Sequence, residues 1–154
     1  MKTITRLDVT NDVALVTLGK VPSGTDAIDR IFSALTRAEI NVDMISQSAL
    51  TGPYVSLSFT ASGNDIGKIM EITARIREKY PTVKPLLSNN NVKLSLFGES
   101  MPEHHGIAAG VFHVLAECGA EILLITTSLV DISVLVSDAV AEDCIAALKN
   151  AYEL

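Results

Sequence analysis

The sequence predicts an α+β protein: two units of β-α-β-β-α-β order in tandem, with the leading strand of the chain completing the second unit. Three observations carry that expectation. The chain repeats itself, residues 92–154 echoing residues 13–79. Strand-like and helix-like hydrophobic patterns alternate in the same order in both copies. The copies also differ by one strand: the second stops short of a fourth, while Thr3–Asp8 is strand-like and has no role in the first.

The echo can be followed residue against residue. Val13-Ala-Leu-Val-Thr-Leu-Gly19 aligns with Val92-Lys-Leu-Ser-Leu-Phe-Gly98. Phe32–Ala38 aligns with Phe112–Cys118, and Ile45-Ser-Gln-Ser48 with Ile125-Thr-Thr-Ser128. The offset grows by one residue between strand and helix, so the loop joining them gained one residue.

In chain order, Val13–Gly19 is a nearly continuous β-favouring run closed by a glycine, the pattern of a buried strand. A loop, Lys20–Thr25, follows, and Ser23, Thr25 and Asp26 are the expected helix N-caps. Ile28, Ile31, Phe32 and Leu35 then recur at helical spacing, and the helix is expected to fail near Ala38-Glu39. Ile40–Ala49 reads as extended, and Gly52-Pro53 as a turn. Val55, Leu57 and Phe59 alternate with Ser56, Ser58 and Thr60, giving a strand with one polar face. Ser62–Lys79 is helical through Ile66, Ile69, Met70, Thr73 and Ile76. Tyr80-Pro81 ends it, and Val83–Leu87 supplies a short fourth strand.

The second copy gives strand Val92–Gly98, helix Gly106–Cys118, strands Ile122–Thr127 and Asp131–Ser137, and helix Ala141–Tyr152. Ser88–Asn91 is polar and turn-forming, the expected junction. The expected organisation is therefore residues 1–9 as a strand lent to the second unit, 10–88 as the first unit and 89–154 as the second. The order is that of the ferredoxin-like split β-α-β fold, with two helices on one sheet face.

At 154 residues the chain allows two small units, each of which gains from packing on a neighbour or on a second chain. The core must come from Val, Ile, Leu and Ala, because tryptophan is absent and aromatics are scarce. A net charge of −6 and the lack of any basic stretch with interleaved aromatics disfavour nucleic acid and anionic membrane surfaces. Cys118 and Cys144 are far apart in helix-like segments and read as reduced thiols. No apolar run has transmembrane length and Met1-Lys2 opens no signal-like core, so the expectation is a soluble cytoplasmic protein.

Catalytic constellations are missing. There is no phosphate loop, no G-x-G-x-x-G, no C-x-x-C and no H-E-x-x-H. His104-His105 reads as a loop leading into a helix rather than a metal site, and His113 as a surface residue. Asp26 with Asp29, and Glu142 with Asp143, fall in expected first helical turns, where negative charge is favourable. No cofactor and no catalysis by this chain alone are expected. What remains is binding. In each unit the loop after the first strand opens a helix whose N-terminus offers unpaired N–H groups and a positive partial charge, a place for an amino acid's carboxylate. Asn41 and Gln47 offer amide groups nearby, and Asp43 an attraction for ammonium.

Phe32–Ser48 resembles the first ACT domain of aspartate kinase regulatory regions. Met101–Phe112, Ile125–Ser128 and Ile132–Val136 resemble the second, and the likeness covers nearly the whole chain, leading strand included. None of the kinase domain that would precede these residues is here. The resemblance implies a homodimer of paired ACT units that takes lysine or threonine between units as a feedback inhibitor of a kinase catalytic domain. It implies effector contacts at Ser23, Gly24, Thr25 and Asp26, and at Asn41, Val42, Asp43 and Gln47. In the second unit it implies Glu121, Ile122, Thr127 and Ser128. Ser23-Gly-Thr-Asp26 stands where the family has Asp-Lys-Pro-Gly, Glu121 where it has Asn, and Leu129 and Asp131 replace a Glu and a basic residue. Two rivals accompany this expectation: a dimerisation scaffold with a decayed pocket, and an enzyme on the same scaffold, since fold does not decide function.

Overall fold

The computed structural model describes residues 2–154. In chain order the elements are β1 (Arg6–Pro22), α1 (Thr25–Arg37), β2 (Ile45–Gln47), β3 (Tyr54–Ser62), α2 (Ile66–Lys79), β4 (Lys84–Phe97), α3 (Ile107–Glu117), β5 (Leu124–Thr127), β6 (Asp131–Ser137) and α4 (Asp138–Tyr152). They form two compact units: Asp12–Asn89, and the residues up to Asn11 together with Asn90–Leu154. The fold class is the expected one, and the leading segment does belong with the second repeat.

In the Asp12–Asn89 unit the strands lie in the order β2-β3-β1-β4. β1 and β3 are antiparallel, with Val16 opposite Phe59 and Leu18 opposite Leu57. The alternation read in β3 sets its faces: Val55, Leu57, Phe59 and Ala61 turn to the helices. Ala27, Ile31 and Leu35 of α1 and Ile69 and Ile72 of α2 close over them. Phe59 is fully buried and meets the Phe32 ring edge-on at 5.9 Å between centroids. Removing a side chain of that size from water contributes about 1.5–3 kcal/mol. Thr60 and Thr73 are buried but satisfied: Thr60 Oγ1 accepts from the Met44 N–H at 2.9 Å, and the Thr73 hydroxyl donates to the Ile69 carbonyl at 2.7 Å.

The other unit repeats the plan with the order β1-β4-β6-β5. Leu94 sits opposite Val134 and Leu96 opposite Ile132, and these pack with Val111 and Leu115 of α3 and Ala141, Cys144 and Leu148 of α4. Ile4 of the leading segment is buried in the same core, and the Thr5 N–H donates to the Phe97 carbonyl at 2.8 Å. Gly98 permits that docking, since a Cβ there would overlap the Thr3 carbonyl.

Four local expectations are corrected. The expected strands Thr3–Asp8 and Val13–Gly19 merge into one continuous strand, β1, which starts at Arg6, and Val83–Leu87 and Val92–Gly98 merge into β4, Lys84–Phe97. Ser88–Asn91 is thus strand, not turn. Asp12 and Asn90 take left-handed φ of 53° and 57° within these strands. Short polar side chains tolerate that conformation, so the ladder carries a local kink instead of ending. Secondly, α1 is capped by Gly24, and no side chain among Ser23, Thr25 and Asp26 makes a cap bond. Thirdly, β2 has only three residues of the expected extended segment. Finally, α4 starts at Asp138, so Glu142 and Asp143 lie in its second turn.

Candidate functional site

The most site-like geometry belongs to the unit that ends at Leu154. There the chain leaves β4, makes one 3-10 turn over Met101–Glu103 and enters α3 through Gly106. Gly106 has φ 81°, a left-handed conformation that favours glycine, and no side chain caps the helix. The first intrahelical bond closes at the Gly110 N–H, which donates to the Gly106 carbonyl at 3.0 Å, so the N–H groups before it lack helical acceptors. α3 has no acidic residue in its first turn. Its positive end is therefore uncompensated from within.

A cavity of about 350 Å³ opens in front of it, lined by His104, His105, Gly106, Thr127, Ser128 and Leu129 among others. The two histidines arrive from the loop, and Thr127 closes β5 opposite Ile132. His104 is held: its Nδ1 lies 2.9 Å from the Ser100 carbonyl, an oxygen that can only accept. That assigns the proton to Nδ1 and leaves Nε2 to the surroundings. Ser128 is held as well, since its Oγ accepts from the Val130 N–H at 3.2 Å and its own N–H donates to the Asp131 carbonyl at 2.9 Å. The Asp131 carboxylate is engaged by the hydroxyls of Ser95 and Ser133. The cleft thus combines unpaired helix N–H groups, two hydroxyls and two imidazoles, a donor set suited to a small carboxylate.

The expected residues separate into two ends of each unit. Thr127 and Ser128 gather at the start of α3, whereas Glu121 and Ile122 follow its C-terminus and line no part of that cavity. In the Asp12–Asn89 unit, Ser23, Gly24, Thr25 and Asp26 lie at the start of α1. Gln47 lies toward that same end, since it pairs with Leu57 while Val55 and Tyr54 pair with the close of β1. Asn41 and Val42 line a different cavity of about 500 Å³, with Phe32, Thr36 and Glu39, past the last turn of α1. The 13 residues of α1 separate the two groups by about 20 Å. Asp43 is tied to β3 through its N–H, which donates to the Thr60 carbonyl at 3.1 Å. Within this unit Asn41 and Val42 are not beside the helix start, contrary to expectation, because a single helix length intervenes.

Asp26 is committed inside the unit. The Tyr80 hydroxyl donates to its carboxylate at 3.0 Å and Arg30 Nε at 3.3 Å. Those contacts, Tyr80 first, hold the carboxyl below its ordinary value. Desolvation, then Asp26, pushes the Tyr80 phenol up. Sequence reading missed His104, His105 and Leu129 as lining residues. The available signal was the Gly106 opening, which makes the preceding loop face whatever the helix start faces. No cluster of three or more metal-ligating side chains occurs among the described residues, and no helix there is long and apolar enough to cross a membrane.

Comparison with known proteins agrees with this fold. Residues 94–152, the repeat that carries the cleft, match the ACT domain family model. That match covers the second repeat, and the Asp12–Asn89 unit repeats the same order of elements. The regulatory subunit of aspartate kinase from Thermus thermophilus, in its ligand-free form, superposes with a TM-score of 0.88 at 25% identity, covering 98% of this chain and 99% of that one. A structure of aspartokinase alpha and beta subunits gives 0.88 at 28% identity with the same coverage. An aspartokinase of Bacillus sp. (strain MGA3) is 28% identical over 146 residues, 94% of this chain and 35% of the relative. Along 98% of its length the chain is similar to that regulatory subunit of aspartate kinase. It spans about a third of the length of the curated relatives it matches.

Proposed function

We propose that this chain is a regulatory module that binds a free amino acid, lysine or threonine by family resemblance, and transmits its presence to an aspartate kinase catalytic domain. One observation carries the reading: the cleft where the uncapped start of α3 faces Thr127, Ser128, His104 and His105. The effector's carboxylate would meet the helix N–H groups, and the hydroxyls would accept from its ammonium group. By family resemblance alone, Ser23, Gly24, Thr25, Asp26, Asn41, Val42, Asp43 and Gln47 of the first unit and Glu121 and Ile122 of the second are further contact positions, and none of them lines this cleft. The protein works as a homodimer in the cytoplasm, and effector binding shifts the population between two packings that the kinase reads. Coupling of this kind is typically worth about 1–3 kcal/mol.

Isothermal titration with lysine and with threonine tests the proposal. Saturable heat is expected for at least one, weakened about tenfold or more by Thr127→Val with Ser128→Ala, since two hydrogen bonds to charged groups are lost. The absence of heat with either amino acid would refute it. A scaffold role is the second reading, favoured by Ile45 and Ile125, which stand half exposed on the outer strands β2 and β5. A stable dimer in sedimentation at micromolar concentration, with no amino-acid heat, would select that reading.

A further inference from the structure

We propose that the groove between α1 and α2 is a second binding site, for a small organic anion with an apolar body. The groove has a cavity of about 390 Å³, within the range of about 300–1,000 Å³ common for small-molecule sites. Its floor is apolar: Ala34 on α1 and Ala38 at the C-cap one turn on have small side chains that leave room, and Ile72 and Ile76 lie one turn apart on α2. Its rim is cationic. Arg30 and Arg37 come from α1, Arg75 and Lys79 from α2, and no carboxylate lines the space.

Four cations around one cavity are unexpected in a chain of net charge −6. Asp26 answers only one of them directly, pairing with Arg30 at 3.3 Å. Among the described residues Arg37, Arg75 and Lys79 make no ion pair. Like charges held side by side over an apolar surface repel one another, and a bound anion relieves that repulsion while the floor takes up hydrophobic area. The planar forks of the arginines suit a carboxylate, sulfonate or phosphate. A bare inorganic anion would leave the isoleucines and alanines uncovered, so the ligand class is an amphiphilic one. None of these residues belongs to the effector set except through the Arg30 contact with Asp26, so the site stands independently of the regulatory reading.

Anilinonaphthalene sulfonate, an apolar ring system carrying one sulfonate, is a direct probe. Fluorescence titration of the folded protein should show one saturable site per chain. Arg37→Gln combined with Arg75→Gln, both exposed positions, should weaken it at least about tenfold, equivalent to about 1.4 kcal/mol. Arg77→Gln, on α2 but outside the groove, should leave it unchanged, and circular dichroism reports whether each variant folds. The uncharged parent, phenylnaphthylamine, should bind several-fold more weakly, a comparison that needs no variant. Equal affinity for the two dyes, or an unaltered titration in the folded double variant, would overturn the proposal. Displacement of the dye by an oligoglutamate peptide at lower concentration than by naphthalene sulfonate would overturn it in favour of an acidic protein partner.

Discussion

α1 begins at Gly24 with φ 109° and α3 at Gly106 with φ 81°, so both repeats have kept a glycine in a conformation that side chains avoid. What surrounds the two helix starts differs. α1 carries Asp26 in its first turn, gripped by Arg30 and Tyr80, so its positive end already has an internal anion. α3 carries no acid in its first turn, and the loop before it brings His104 and His105 to an open cavity. The order of elements is the same in both repeats; the charge at the helix start is not. A helix terminus is an anion site only while the chain itself has not filled it. By that measure the second repeat is open and the first is answered from within.

The strongest way to break the comparison is to remove the cores that hold the two helix starts. Phe59→Ala should cost about 3–5 kcal/mol and Leu115→Ala about 2–5 kcal/mol in urea denaturation. A loss under about 1 kcal/mol at either position would show that the repeat concerned lacks a close-packed core of its own. A sharper test compares Gly24→Ala with Gly106→Ala. Both force a side chain into disfavoured backbone and should destabilise by about 1–2 kcal/mol, but only Gly106→Ala should weaken amino-acid uptake by calorimetry. Equal weakening by both would erase the distinction. The smallest effect concerns Asp26. Its carboxyl is lowered in the folded state, so its contribution is present above the ordinary value of 3.8 and is lost as pH falls through the folded value. Asp26→Asn should therefore lower the melting temperature slightly at neutrality and flatten the acid limb, the difference from the parent vanishing once pH falls below the folded value.

Much of the fold was legible because patterning dictates it. The serine alternation of β3 and the helical spacing of Ile31 and Leu35 each admit one burial face, though Ala27 and not Ile28 completes that of α1, and Asp131–Ser137 is the strand expected. The continuity of β1 and β4 was not legible. Asn11-Asp12 and Ser88–Asn91 have the composition of turns, and only pairing along the sheet decides that such residues stay extended. The site was half legible. Thr127 and Ser128 could be placed by the repeat, but the division of the other positions between the two ends of each helix required the length of α1 in space. The hold of Tyr80 on Asp26 spans 54 residues and leaves no local trace.

The docking of the leading segment brings Lys2 to the far end of the chain, where its Nζ donates to the Glu153 carbonyl at 2.8 Å and pairs with its carboxylate at 3.3 Å. A few linking residues would close the polypeptide into a ring without disturbing either sheet. Such a ring could be reopened in the exposed stretch around Leu50–Gly52, between β2 and β3. Excision at the repeat boundary has no such freedom: a fragment starting at Asn90 would lose β1 and the segment before it, with Leu7 and Ile4, and leave β4 with a raw edge open to aggregation.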